Sequence, residues 1–303
     1  MNIKKILVAF SLLAITMFSE SVFAQGLNWE GQTGALLTPF AYTAGAPAKK
    51  FGKPEVAFHY LNAGSVIGNE YQFSVTEGFG KHFEAGITQS FSSSGSNASF
   101  SGLFTGGYTT LHGKLTVVNE NSFKTKWVPA IAVGAVGRLG DERVNWDATA
   151  LYTNTPKGTN GDFYIVATKT VTQFKKVPFV LNFGEKVTNA SIMGVAGQAG
   201  NGSNADQRWQ GRLFGAAAFV VKGPAKSTLI FGSEVVQQPK YVQPLENAAV
   251  IPTSLSYFVR VVPHLEGAPL QVDLGLVQAA GKINPAIDLK SRAQVGMGVS
   301  YHF

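Results

Sequence analysis

From residue 55 to the end of the chain, apolar and polar residues alternate at every second position in short runs. A period of two is the mark of β-strands with one greasy and one wet face. In 55–61, Val56, Phe58 and Tyr60 share a face, and in 70–76, Tyr71, Phe73 and Val75 stand against Gln72, Ser74 and Thr76. Further runs cover 82–91, 106–118, 127–137, 162–172, 178–186, 210–221, 228–236, 254–262 and 270–277. In 162–172 the pattern groups Tyr164, Val166 and Thr168 against Lys169. The last run, 289–303, sets Leu289, Ala293, Val295, Met297, Val299, Tyr301 and Phe303 against Lys290, Arg292, Gln294, Ser300 and His302. Together these runs predict about twelve strands.

The connections alternate as well. Those at 62–69, 92–105, 138–161, 187–209, 237–253 and 279–288 are mostly long, and those at 77–81, 119–126, 173–177, 223–227 and 263–269 mostly short. Transmembrane barrels sort their loops this way, with short turns at one rim and longer loops at the other. A soluble β-sandwich has no reason to do so. The predicted fold class is therefore all-β, a single closed antiparallel transmembrane β-barrel. Closure follows from hydrocarbon offering no partner to an open sheet edge, so every backbone group must pair internally. Apolar faces then meet lipid and polar faces line a lumen. Aromatics near strand ends (Tyr71, Trp127, Tyr164, Trp209, Tyr301, Phe303) suit interfacial girdles.

Two segments fall outside the barrel, which is expected over 54–303. Residues 25–53 hold Pro39, Pro47 and many Gly and show little alternation, and Pro is hard to place in a central strand. They are expected to be an irregular lead-in or a plug of the lumen. Residues 1–24 carry Lys4 and Lys5 before an apolar run at 6–18, then Val22-Phe23-Ala24. The run is shorter than the roughly twenty residues that span a bilayer, so a secretory signal peptide cleaved after Ala24 is predicted. The sequence has no Cys, which excludes a disulfide scaffold, a thiolate metal site and lipid attachment at a leader cysteine. The formal net charge of +7 drops only to about +6 without the leader. No Lys/Arg cluster points to nucleic acid, and a basic pore or lipopolysaccharide contact fits an exported chain better.

The carboxyl-terminal residues Gly298, Tyr301 and Phe303 resemble the assembly signal of Gram-negative outer-membrane β-barrel proteins, which include porin-like members. Gly296 stands where that signal has a polar residue. The resemblance implies location in the cell outer membrane. It also implies recognition of the last strand by the barrel-assembly machinery, pairing of that strand with the first, and contact with outer-membrane lipid and lipopolysaccharide. With Phe303 on the periplasmic side, an even strand count puts the first strand's start there and the long loops outside the cell. The Gly31, Thr33, Gly34, Thr38, Pro39 spacing is similar to segments that open some such barrels.

Little catalytic chemistry is legible. His59, His82, His112, His264 and His302 show no metal spacing, no Gly-x-Ser-x-Gly elbow is present, and no cofactor is implied. Asp141, Glu142 and Asp147 read as a solvated loop rather than a cation site, and the Gly-rich run 194–203 lacks the Lys-Ser/Thr of a phosphate loop. Strand parity assigns Lys114, Lys169, Lys186, Arg212, Arg260, Lys290 and Arg292 to the lumen, facing Glu70, Glu84, Glu234 and Asp273. That cation excess predicts a mildly basic, anion-preferring lumen, unless the charges pair across it and plug it. A barrel of this size lies between small filled barrels and open porins. The leading expectation is a narrow porin-like channel for small solutes, with small anions as the candidate partners. A non-conducting structural or accessory barrel, serving envelope assembly or polysaccharide export, is the alternative, and an outer-leaflet lipid-modifying enzyme comes third.

Overall fold

The computed structural model describes residues 26–97, 106–140, 159–173, 177–195, 209–239, 251–265, 269–278, 280–282 and 288–303. The leader, the acidic residues Asp141, Glu142 and Asp147, and most of the Gly-rich run lie outside them. No described helix is long and apolar enough to cross a membrane.

Twelve strands close into one antiparallel barrel. In chain order they are β1 (Glu55–Asn62), β2 (Asn69–Phe79), β3 (Phe83–Ser93), β4 (Gly107–Val118), β5 (Ala130–Gly140) and β6 (Asn160–Val171). They continue with β7 (Phe179–Thr188), β8 (Gln210–Lys222), β9 (Thr228–Val236), β10 (Ser254–Val262) and β11 (Leu270–Gln278). After a separate ribbon, β12 (Ala280–Lys282) with β13 (Asp288–Ser291), the wall is completed by β14 (Gln294–His302). The seam pairs β14 with β1, Val56 opposite Tyr301 and Ala57 opposite Ser300, so no edge is left open.

The exterior is apolar. Phe73, Phe83, Ile87, Leu111, Phe163, Leu181, Phe219, Tyr257, Leu274 and Met297 point outward, and Trp127 (72% exposed), Trp209 and Phe303 stand near the strand ends. Such a surface on a closed sheet is what a bilayer demands of a spanning barrel. A hollow of about 780 Å³ lies on this face, over Leu181, Phe219, Phe231, Tyr257 and Leu274.

Two expectations change. In β6 it is Phe163 and Ile165 that face outward, while Tyr164, Val166 and Thr168 are buried within. Tyr164 is therefore no girdle residue, and Lys169 lies on the outward parity. A face is decided by which residues can be satisfied inside, and a one-residue change of phase inverts all of them. The other change concerns the final run, which is not one strand. Lys290 and Ala293 adopt positive φ, which separates β13 from β14. Leu289 is drawn into the buried cluster of Val66 and Ile67, from the helical turn Gly64–Ile67. The ribbon therefore sits at the long-loop rim rather than continuing the wall.

Candidate functional site: the lumen and the segment within it

Residues 26–44 run inside the barrel. Gly26 N–H donates to Glu55 (2.8 Å) and Leu27 N–H to Ser300 Oγ (3.3 Å), both at the short-turn rim. The chain then climbs to Glu30, bonded to Arg138 Nε at 2.7 Å near the opposite rim. It returns past β9 and β6, where Ala41 N–H meets Thr168 Oγ1 at 2.7 Å. Tyr42 OH donates to Glu120 (2.9 Å), and Gly52 N–H bonds Gly78 O (2.8 Å) before β1 begins. The segment thus enters and leaves by one rim.

The segment pairs part of its backbone with itself, Trp29 N–H with Leu36 O (2.8 Å) and Phe40 N–H with Thr33 O (3.0 Å), but it has no continuous ladder for the rest, and burial leaves water out of reach. The wall's inward side chains take that part. Glu84 accepts from Thr33 N–H (3.1 Å), Thr33 Oγ1 (2.6 Å) and Ala44 N–H (2.8 Å). Glu234 accepts from Leu37 N–H (3.0 Å), Thr38 N–H (2.8 Å), Thr38 Oγ1 (2.8 Å) and Ser256 Oγ (2.6 Å). Lys114 Nζ reaches Thr33 O (3.0 Å), Arg260 Nη1 reaches Gly34 O (2.9 Å), and Thr76 Oγ1 reaches Gly31 O (2.5 Å). Gly31 has φ +84° and lies against Thr88 and Ser74, so a side chain there would collide with the wall. The Gly, Thr and Pro residues noticed as a spaced set are those making the tip and its anchors.

The lumen charges pair. Lys114 and Glu84 meet at 2.8 Å with both side chains fully buried. Arg260 binds Asp273 through two bonds, 2.7 and 2.9 Å. Arg138 binds both Glu30 and Asp162 (2.8 Å), and Lys186 stands 3.5 Å from Asp162. Arg212, at the long-loop rim and opposite Lys186 in the ladder, donates to Gln238 O (2.7 Å).

Of the residues assigned to the lumen by parity, Lys114, Lys186, Arg260, Glu70, Glu84, Glu234 and Asp273 are buried on inward positions, and Arg212 is half-buried at the mouth. Lys169 instead bonds Glu120 (2.7 Å) and Asn121 (2.9 Å) at the short-turn rim. Lys290 and Arg292 are exposed on the rim ribbon, where Arg292 pairs with Asp288 (2.9 Å). There the Lys290 N–H, helped by Arg292, holds the Asp288 carboxyl below its ordinary range.

Parity had also missed Glu55, Arg138 and Asp162. Arg138 falls in the connection 138–161 by pattern, although it continues the inward series of Ala132 and Val136, and Asp162 opens the run 162–172 on the face of Tyr164, which the pattern sets toward lipid. Glu30 lies in a segment with no periodicity to place it. Among the described residues, inward acids on the wall (Glu55, Glu70, Glu84, Asp162, Glu234, Asp273) slightly outnumber inward cations (Lys114, Arg138, Lys186, Arg212, Arg260). No cluster able to hold a metal ion occurs among the described residues.

No protein-family model matches the chain, and no curated protein matches it. Solved structures do. The KdgM porin covers 82% of this chain and 99% of its own at 10% identity, with TM-score 0.45. The NanC porin covers 82% and 98% at 8% identity, with TM-score 0.47. The COG4313 outer membrane channel from Pseudomonas putida F1 covers 85% and 96% at 11% identity, with TM-score 0.46.

Proposed function

We propose that this chain is an outer-membrane, porin-like channel for small solutes, held shut at rest by residues 26–44. The observation that carries the reading is a closed barrel, apolar outside, whose inward polar side chains bind residues 26–44 as well as one another. Both ends of that segment lie at one rim, so it can withdraw without unthreading. In this reading the leader 1–24 exports the chain. The strand ending in Gly298, Tyr301 and Phe303 is handed to the assembly machinery, and the outer face contacts lipid and lipopolysaccharide. The short-turn rim faces the periplasm. The wall's inward acids slightly outnumber its cations, so the wall as a whole is not basic, but Lys186 and Arg212 at the outer mouth favour small anions.

Planar-bilayer recording tests this. The whole chain should conduct weakly and in bursts. Glu234→Ala, which removes the acceptor for three donors of the inner segment, should conduct persistently, and Gly31→Val should do the same from the tip. If both variants form heat-modifiable barrels yet stay silent, the channel reading fails. A non-conducting accessory barrel, which the filled lumen also fits, would then take its place.

A further inference from the structure

The lumen wall has two chemically different sides. On β2, β3 and β4 the inward residues are polar, among them Gln72, Thr76, Glu84, Thr88 and Thr110. On β8 and β9, which lie on the opposite side of the ring, they are Phe214, Ala218, Val220, Ile230 and Val236, with Glu234 the polar one among the buried. A solute hydroxylated on every side gains less from an apolar half-wall than one with an apolar body, because the wall rewards only apolar surface taken out of water.

The inner segment matches this division. It turns carbonyls and Thr33 toward β2–β4 and lays Leu37 and Pro39 beside Phe214 and Val236. The cavity where they meet is about 20 Å³ and is also lined by Glu30, Tyr164, Lys186 and Met193. Here the segment presents a carboxylate to Arg138 and an apolar body to the wall. When the segment withdraws, Glu30 leaves with it. Arg138 loses one of its two carboxylates and is left sharing Asp162 with Lys186, whose ladder partner is Arg212.

Building on the channel reading, we propose that the solute is an amphipathic organic anion, an apolar or aromatic body bearing one anionic group. Its anionic group takes the place of Glu30 at Arg138 and Lys186, and its body takes the place of Leu37 and Pro39 against Phe214 and Val236.

The test compares benzenesulfonate with gluconate, two monovalent anions of similar size, one apolar and one hydroxylated. Neither crosses lipid readily as a neutral acid. Reversal potentials against chloride are measured on Glu234→Ala in planar bilayers. Benzenesulfonate should be about tenfold more permeant than gluconate, the scale of moving a small apolar body onto an apolar wall. Adding Val236→Thr should lower that ratio several-fold, and adding Arg138→Gln should weaken anion over cation preference. A ratio near or below one, with chloride passing, overturns this inference and leaves the channel intact. Absence of chloride current in Glu234→Ala and Gly31→Val removes the channel and this inference with it.

Discussion

At the scale of single residues, buried carboxylates do the holding. Glu234 gathers two backbone N–H groups and a hydroxyl from the inner segment into one acceptor. Charge-assisted bonds contribute about 1.5–3 kcal/mol each when isolated, and less when shared. Glu234→Ala should therefore weaken docking of the segment by about 3 kcal/mol, on the order of a hundredfold in open population. Channel open probability reads this directly. The Lys114–Glu84 pair makes a different prediction. Both partners are buried, so removing one strands a charge and should cost about 3–5 kcal/mol, whereas replacing both with apolar or neutral groups of similar size should be near neutral. Urea unfolding of Glu84→Gln, Lys114→Met and the double variant, followed by electrophoretic mobility, checks it. Additive losses in the double variant would show that the pair is not coupled.

At the scale of elements, each strand's phase decides what the lumen contains. The apolar residues of 162–172 looked lipid-facing, yet Tyr164 turns in because Gln32 of the inner segment offers its hydroxyl a partner at 3.0 Å. A polar partner contributed from elsewhere in the chain outweighed the local pattern. Likewise the pattern of 289–303 predicts one unbroken strand, since alternation cannot register the positive φ of Lys290 and Ala293. The seam itself is open to test, and a chain without cysteine gives a clean background. Ala57 and Ser300 face each other across β1 and β14. Directly opposed antiparallel residues lie about 4.5–5.5 Å apart at Cα, within disulfide range. Ala57→Cys with Ser300→Cys should cross-link on oxidation and change the mobility of the denatured chain. Displacing Ser300→Cys by one position to Tyr301→Cys should cross-link poorly.

At the scale of the whole molecule, the barrel and its occupant form one structure. A bare lumen would leave Glu84, Glu234 and Arg260 with fewer partners, and the inner segment alone would keep only its few internal backbone bonds, such as Trp29 N–H to Leu36 O and Phe40 N–H to Thr33 O. Each satisfies the other, and on the proposed channel reading the cost of parting them sets how readily the lumen opens. Ala41 and Thr168 touch where the segment nears the short-turn rim. Ala41→Cys with Thr168→Cys, oxidised in the Glu234→Ala background, should silence conductance, and reductant should restore it. Persistent current through the oxidised protein would mean that ions do not follow the lumen.

The alternation of residue types determined the all-β class, the number of wall strands and the lipid-facing belt. Backbone satisfaction in hydrocarbon admits one solution for such a pattern. It also placed Lys114, Lys186, Arg260, Glu84, Glu234 and Asp273 on inward positions, because their strands keep phase. Only the tertiary structure decided that 26–44 fills the lumen, that Glu30, Arg138 and Asp162 form its outer anchor, and that Lys169, Lys290 and Arg292 stay out. The reason is physical. A period of two reports which residues share a face, but an irregular segment has no period. The partners of a buried charge are chosen across the barrel, far from it in sequence, and no local pattern carries that choice.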